Sequence, residues 1–172
     1  MALLSTNPST GTKIKLYSEL NREEVKKILE KVYTTKDNWA SSDFSLRLGC
    51  ANEMIGVLED NKKEFSHIIS SEMGKPVSQS IAEIDKCIWL CEYYFQNAEA
   101  ILADKSIKLE KMKCTISFQP IGVVLGIMPW NFPFWQVYRF AIPTILAGNA
   151  CLLKHAPNVQ GCAEVIETAF VE

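Results

Sequence analysis

The chain has 172 residues, 48% of them hydrophobic and 22% charged, which is enough for one domain with a substantial core. A formal net charge of −2 excludes a general electrostatic pull toward nucleic acid. No uninterrupted apolar run approaches the ~20 residues of a membrane span; the longest candidate, around 121–153, is broken by Asn131, Gln136, Arg139 and several prolines and glycines.

In chain order, residues 5–12 (STNPSTGT) form a turn-rich start, since Asn-Pro and Thr-Gly are turn formers. Lys13–Tyr17 alternates polar and apolar residues as a short strand. Asn21 or Ser18 then caps a helix whose apolar residues recur at Val25, Ile28, Leu29, Val32 and Tyr33, with Trp39 closing the stretch. A second helix starts near Ser42, with Leu46, Cys50, Met54 and Leu58 on one line. Asp60-Asn61 interrupts it, and a third helix covers Asn61–Met73. Gly74-Lys75-Pro76 is a stop signal. A fourth, long helix over Val77–Ala103 has a core line of Val77, Ile81, Ile84, Ile88, Cys91 and Phe95, and its Trp89, Tyr93 and Tyr94 are expected to pack against the other helices.

Lys105–Gln119 reads as strand. Ile107, Leu109, Met112, Cys114, Ile116 and Phe118 sit among Lys108, Glu110, Lys111, Lys113, Thr115 and Ser117. From Met112 the alternation is strict, which predicts one wet face and a strand that can pair beyond its own domain. Gly122–Met128 is apolar throughout, as in a parallel strand covered on both faces. Phe134–Leu146 is helical, with a kink or early break expected at Pro143. Gly148-Asn149 stops it, Ala150–Leu153 is a second buried strand, and Val159–Val171 is an amphipathic helix with Cys162, Val165, Ile166 and Ala169 inward. The fold class is therefore α/β: amino-terminal helices, then the first part of a Rossmann-like parallel sheet. The expected divisions are 1–104, a strand segment 105–120 of the oligomerisation type, and a strand–helix–strand–helix unit at 121–172.

Six cysteines and only two histidines, His67 and His155, occur. No secretory signal is read at MALLSTNPSTGTK, so the cysteines read as reduced, partly buried thiols of a cytoplasmic protein. Cys87 and Cys91, four apart, share a helix face. Core packing accounts for them better than a metal, and no metal site is expected.

The unit from Pro120 to Pro157 carries the chemistry. Ligands of doubly wound sheets sit outside the carboxyl ends of parallel strands, and both apolar runs end there in polar residues: Pro129-Trp130-Asn131 and Lys154-His155. Asn131 is either a turn or cap asparagine or a source of fixed N–H donors for a developing oxyanion. Trp135 and Arg139, four apart, share a helix face. An arginine in so apolar a helix needs an anion, either a protein carboxylate or a substrate carboxylate held by the guanidinium fork. Lys154 is either a solvated lysine or a contact to a nucleotide phosphate or sugar hydroxyl. Neither GxGxxG nor GxxxxGK[ST] occurs.

With NPSTG at the start, Arg47, EMGKP at 72–76, Glu83, PWNFP, LAGN and LLKHAPN followed by GCA, the whole chain resembles the amino-terminal part of an aldehyde dehydrogenase of the NAD(P)-dependent superfamily. It is most similar to the bacterial succinate-semialdehyde dehydrogenase-like branch. The resemblance implies that Asn131 stabilises the oxyanion, and that Arg139 with Trp135 grips a substrate carboxylate. It implies that Lys154 binds the adenosine ribose of NAD or NADP. The cofactor edge is completed by Met128, Pro129, Trp130, Asn131, His155, Ala156 and Pro157. Pro157 stands where many NAD-preferring members carry a glutamate, so it neither bonds the ribose hydroxyls nor repels a 2′-phosphate, and the choice of cofactor stays open.

The family's nicotinamide glycines, general base and nucleophilic cysteine lie further along than residue 172. The expected reading is thus a fragment without the catalytic domain, inactive alone. Its partners would be a small carboxylate-bearing aldehyde and, in the parent enzyme, further copies of the chain; no nucleic acid or membrane partner is expected. The rival readings are a non-enzymatic interaction or oligomerisation fragment, and a non-functional remnant.

Overall fold

The structure is a computed structural model that describes residues 2–108 and 112–171. The expected strand positions Leu109, Glu110 and Lys111 lie outside the described residues. Strand β1 (Ala2–Thr6) pairs antiparallel with β2 (Lys13–Ser18), Leu4 opposite Leu16. The turn-rich start is therefore shorter than expected. Ser5 and Thr6 belong to a strand, and the turn begins at Asn7, whose Oδ1 accepts the Ser9 and Thr10 N–H groups. Ser5 leaves the turn because its buried hydroxyl donates to Glu72 at 2.6 Å.

Asn21, not Ser18, caps α1 (Arg22–Ala40). Its Oδ1 accepts from Glu23 and Glu24, and Glu24 Oε2 accepts the Asn21 N–H. No residue of α1 is buried; its apolar stripe of Val25, Ile28, Leu29 and Tyr33 faces out. One helix, α2 (Phe44–Met73), replaces the expected pair. Asn61 does not break it, because its side-chain amide donates to the Val57 carbonyl at 2.9 Å within the same helix. Met54 and Leu58 of the predicted line are buried, whereas Leu46 is exposed. Gly74 ends α2 with φ 85°, and a Cβ there would meet Pro8 Cγ at 2.6 Å, so both conformation and space demand glycine.

Helix α3 (Val77–Leu102) lies along α2. Ile84, Ile88 and Cys91 are buried as expected, but Val77, Ile81 and Phe95 are exposed, and Cys87, Leu90 and Ala98 take their share of the core. Trp89 and Tyr93 are also exposed, their rings tilted against each other 6.1 Å apart, whereas Tyr94 packs against the core as expected. Lys105–Gln119 is not one strand. Strands β3 (Lys105–Lys108) and β4 (Lys113–Ile116) form an antiparallel hairpin, with every residue of both exposed. Both faces are wet, not one, because no other element among the described residues covers the pair.

The last unit is β5 (Val123–Ile127), α4 (Pro133–Leu146), β6 (Ala150–Lys154) and α5 (Gln160–Val171). Strands β5 and β6 pair in parallel, Val124 opposite Cys151. Coverage on both faces does not hold: Leu125 is 58% and Ile127 69% exposed. Among the described residues the sheet has two strands; α4 packs on both of them, and α1 touches each more lightly. Pro143 does not break α4, which continues to Leu146. The inward residues of α5 are Cys162, Ile166 and Ala169, with Val165 packed beside them. Helices α2 to α5 share one core, centred on Leu58, Ile69, Ile84, Phe134, Tyr138 and Ile142.

Candidate active site

The parallel register brings the two polar strand ends together. Ile127 lies opposite Lys154, and the Met128 N–H donates to the Lys154 carbonyl at 3.0 Å. Met128–Asn131 and Lys154–Pro157 therefore form one edge. On it Pro129, Trp130, Asn131, Lys154 and Pro157 are exposed and Met128 is half-buried. The side chains of His155 and Ala156 instead lie inside the protein. His155 Nδ1 accepts the Ala156 N–H at 2.8 Å, and Nε2 then donates to the Pro133 carbonyl at 2.9 Å. Burial holds this imidazole below its usual pKa, so the ring is a neutral clamp between the end of β6 and the start of α4.

Asn131 sits two residues before α4. It is not the cap: that position is Phe132, which makes no side-chain cap bond. The free N–H groups at the helix start are taken by Glu83, whose Oε1 accepts from Phe134 at 2.8 Å and Trp135 at 2.9 Å. Its Oε2 pairs with Lys75 Nζ. Glu83 is 3% and Lys75 8% exposed. Lys75 also lies 4.5 Å from the centre of the Phe132 ring. A buried ion pair thus holds the residues that flank Asn131. The Asn131 carboxamide itself makes no hydrogen bond among the described residues and faces solvent.

Trp135 and Arg139 follow on α4. Arg139 is exposed, donates to Gln136 Oε1 at 2.8 Å and lies 6.0 Å from the Trp135 ring centre. No protein carboxylate pairs with it among the described residues. The opposite end of the unit is fixed by Asn149. Its Oδ1 accepts the Ile121 and Gly122 N–H groups at 2.7 and 3.0 Å.

A second glutamate, Glu72, does for α5 what Glu83 does for α4. Its oxygens accept from Gly161 and Cys162, each at 2.9 Å. A Cβ on Gly161 would fall 2.9 Å from Glu72 Oε1, so glycine lets the carboxylate close on the helix. With both helix starts filled by carboxylates, neither is open to a phosphate. The charged side chain on the edge is the exposed Lys154 ammonium. A cleft of about 770 Å³ lies elsewhere, between β2, α2 and α5. It is lined by Tyr17, His67 and Glu164 among others, and by none of the predicted site residues.

Local pattern did not single out the roles of Lys75, Glu72 or Asn149. One signal was available: Glu72 stands in the last turn of α2, where the helix dipole disfavours an anion, so a donor from elsewhere in the fold was required.

The aldehyde dehydrogenase family sequence model matches residues 2–172. The chain belongs to this family. A probable succinate-semialdehyde dehydrogenase [NADP(+)] of Synechocystis is 39% identical over 99% of the chain and 37% of that relative. The succinate semialdehyde dehydrogenase [NAD(P)+] Sad of Escherichia coli K12 is 36% identical over 97% of the chain and 36% of its own length. The crystal structure of succinic semialdehyde dehydrogenase from Streptococcus pyogenes with NADP+ superposes with a TM-score of 0.95. It is 23% identical, over 99% of the chain and 38% of that structure, and so shows the fold. The chain spans little more than a third of the length of these family members.

Proposed function

We propose that this chain carries binding and orienting parts of an NAD(P)-dependent succinate-semialdehyde dehydrogenase, whose reaction oxidises a carboxylate-bearing aldehyde to the acid. The observation that carries the reading is Arg139: an exposed guanidinium on the helix that follows Asn131, with an indole beside it and no protein carboxylate among the described residues. Asn131 would donate its amide N–H to the oxygen of the aldehyde as negative charge develops there. Arg139 would hold the far carboxylate through its fork. From Pro133 to Arg139 the helix advances ~9 Å at ~1.5 Å per residue; with both side chains reaching in, that suits a short aldehyde-acid. Glu83, Lys75 and His155 would keep this geometry fixed from below.

The ribose of NAD or NADP would lie along Lys154 and Met128–Trp130; when bound, the cofactor supplies the hydride acceptor. Pro157 neither bonds nor repels a group on the ribose, which supports use of either form. Six free cysteines support a reducing compartment such as the cytoplasm. No described helix is long and apolar enough to cross a membrane. The wholly exposed β3–β4 hairpin supports contacts to further copies of the chain.

The 172-residue protein, purified and given succinic semialdehyde with NAD or NADP, is expected to bind without turning over. Turnover that survives purification would overturn the inactive-alone reading. Loss of succinate binding in Arg139→Gln, and its retention in Lys154→Gln, would support the substrate assignment.

A further inference from the structure

Trp135 meets a second cation. Lys86 of α3 places its ammonium 4.1 Å from the centre of the Trp135 indole, nearer than Arg139 at 6.0 Å. Two positive groups from different helices thus gather on one ring. Like charges repel, and such an arrangement is normally relieved by an anion. None is in place. Within one turn of Lys86 on α3 the carboxylates are Glu83 and Asp85, and Glu83 is occupied by Lys75 and two α4 N–H groups. Asp85 points to Lys62 at 2.7 Å. The α4 residues within a turn of Arg139 include no acid. Neither Lys86 nor Arg139 has an ion-pair partner among the described residues.

The placement is not loose. Lys86 stands one turn beyond Glu83, so a single stretch of α3 holds Trp135 by its backbone N–H and by its ring. We propose that Lys86 is a specificity-determining residue, which with Arg139 forms a two-cation cradle over Trp135 for the carboxylate of an aldehyde-acid. This rests on the reading of Arg139 given above. It adds that charge selection is shared between two helices, so a neutral aldehyde of equal length would leave both cations unmatched.

The test uses the 172-residue chain labelled with ¹⁵N, reading the Trp135 indole N–H signal, assigned with a Trp135→Phe variant. Succinate is titrated in, and succinamide serves as the neutral control. Succinate is expected to shift that signal saturably and succinamide not to. Lys86→Gln is expected to weaken succinate about three- to fivefold, and Lys86→Arg to restore it. Lys86 is exposed, so both variants should keep the remaining spectrum. Unchanged succinate affinity in Lys86→Gln, with loss in Arg139→Gln, would overturn the role of Lys86 and leave the proposed function standing. Weakening that Lys86→Arg fails to restore would also overturn it, as a packing effect. No saturable shift in the unaltered chain would overturn both.

Discussion

Glu83 and Arg47 hold opposite ends of α4. Glu83 accepts the Phe134 and Trp135 N–H groups at its start, and Arg47 Nε donates to the Leu146 carbonyl at its end, at 3.2 Å. The anion meets the positive end of the helix dipole and the cation the negative end. Trp39 joins Arg47 by donating its indole N–H to the Ile145 carbonyl at 2.9 Å. The helix on which Trp135 and Arg139 sit is therefore clamped at both ends by residues of the preceding helices, and at its start, where Phe132 makes no side-chain cap bond, by Glu83 in place of a cap.

The ion pair beneath this clamp should dominate local stability. In Glu83→Gln the amide oxygen can still accept an α4 N–H, but Lys75 is left buried without a counter-charge. Breaking one side of a buried pair costs ~3–5 kcal/mol. Lys75→Met should cost less, because Glu83 keeps its two backbone donors, and the double variant should cost less than the two single losses added. Urea denaturation followed by circular dichroism measures all three. A Glu83→Gln variant within about 1 kcal/mol of the parent would show that the pair contributes little.

Much of this fold was legible in local pattern. The cap at Asn21, the stop at Gly74 and the inward face of α5 each follow from residues within about two turns of each other. Pattern failed where a distant partner decides. Ser5 looks like a turn residue until Glu72 draws its hydroxyl into the core, and the Asp60-Asn61 break disappears once the Asn61 amide bonds its own helix. The expected double-sided burial of β5 assumed neighbouring elements that the described residues do not supply. At the site, the motif pointed to Asn131, Arg139 and Lys154. The two glutamates beneath it reach the starts of α4 and α5 across 51 to 90 residues of sequence, a range at which no periodicity operates.

Asn149 offers a sharper test of how β5 is aligned. Its single Oδ1 takes two N–H groups, at Ile121 and Gly122. Asn149→Ala would leave both without that partner and cost ~1–3 kcal/mol. Asn149→Asp keeps the acceptor but loses the weaker donation from Nδ2 to the Thr144 carbonyl, so its cost should be smaller. Hydrogen exchange should report faster exchange at Ile121 and Gly122 in the alanine variant alone. Equal exchange rates in all three proteins would count against the latch.

His155 makes stability depend on pH. Its folded pKa lies below the usual histidine value because burial disfavours the charged ring, and protonating Nδ1 would also abolish the bond from the Ala156 N–H. The unfolded chain then binds more protons than the folded one below pH ~6.5. The stabilisation is fully present above that value and declines as pH falls toward the folded pKa. Thermal melts between pH 7.5 and 5 should show this decline, and a His155→Gln variant should show a flatter one over the same window. Identical slopes would assign the acid sensitivity to the carboxylates instead.

The thiols bear directly on what this chain can do. The thiolate is the reactive form, and burial pushes the cysteines of the core away from it: Cys91 up to about 12, Cys151 up to about 11, and Cys87 and Cys162 well above their usual value. Glu72 adds to the effect at Cys162, because its negative charge lies against the start of the same helix. Cys114, on β4, is exposed. Alkylation with iodoacetamide at pH 8, read by peptide mass spectrometry, should therefore modify Cys114 first. Cys87, Cys91 and Cys162 should react only after denaturant is added. Rapid labelling of Cys162 or Cys151 in the native protein would contradict this, since it would place an accessible thiolate within the strand–helix unit that carries Asn131.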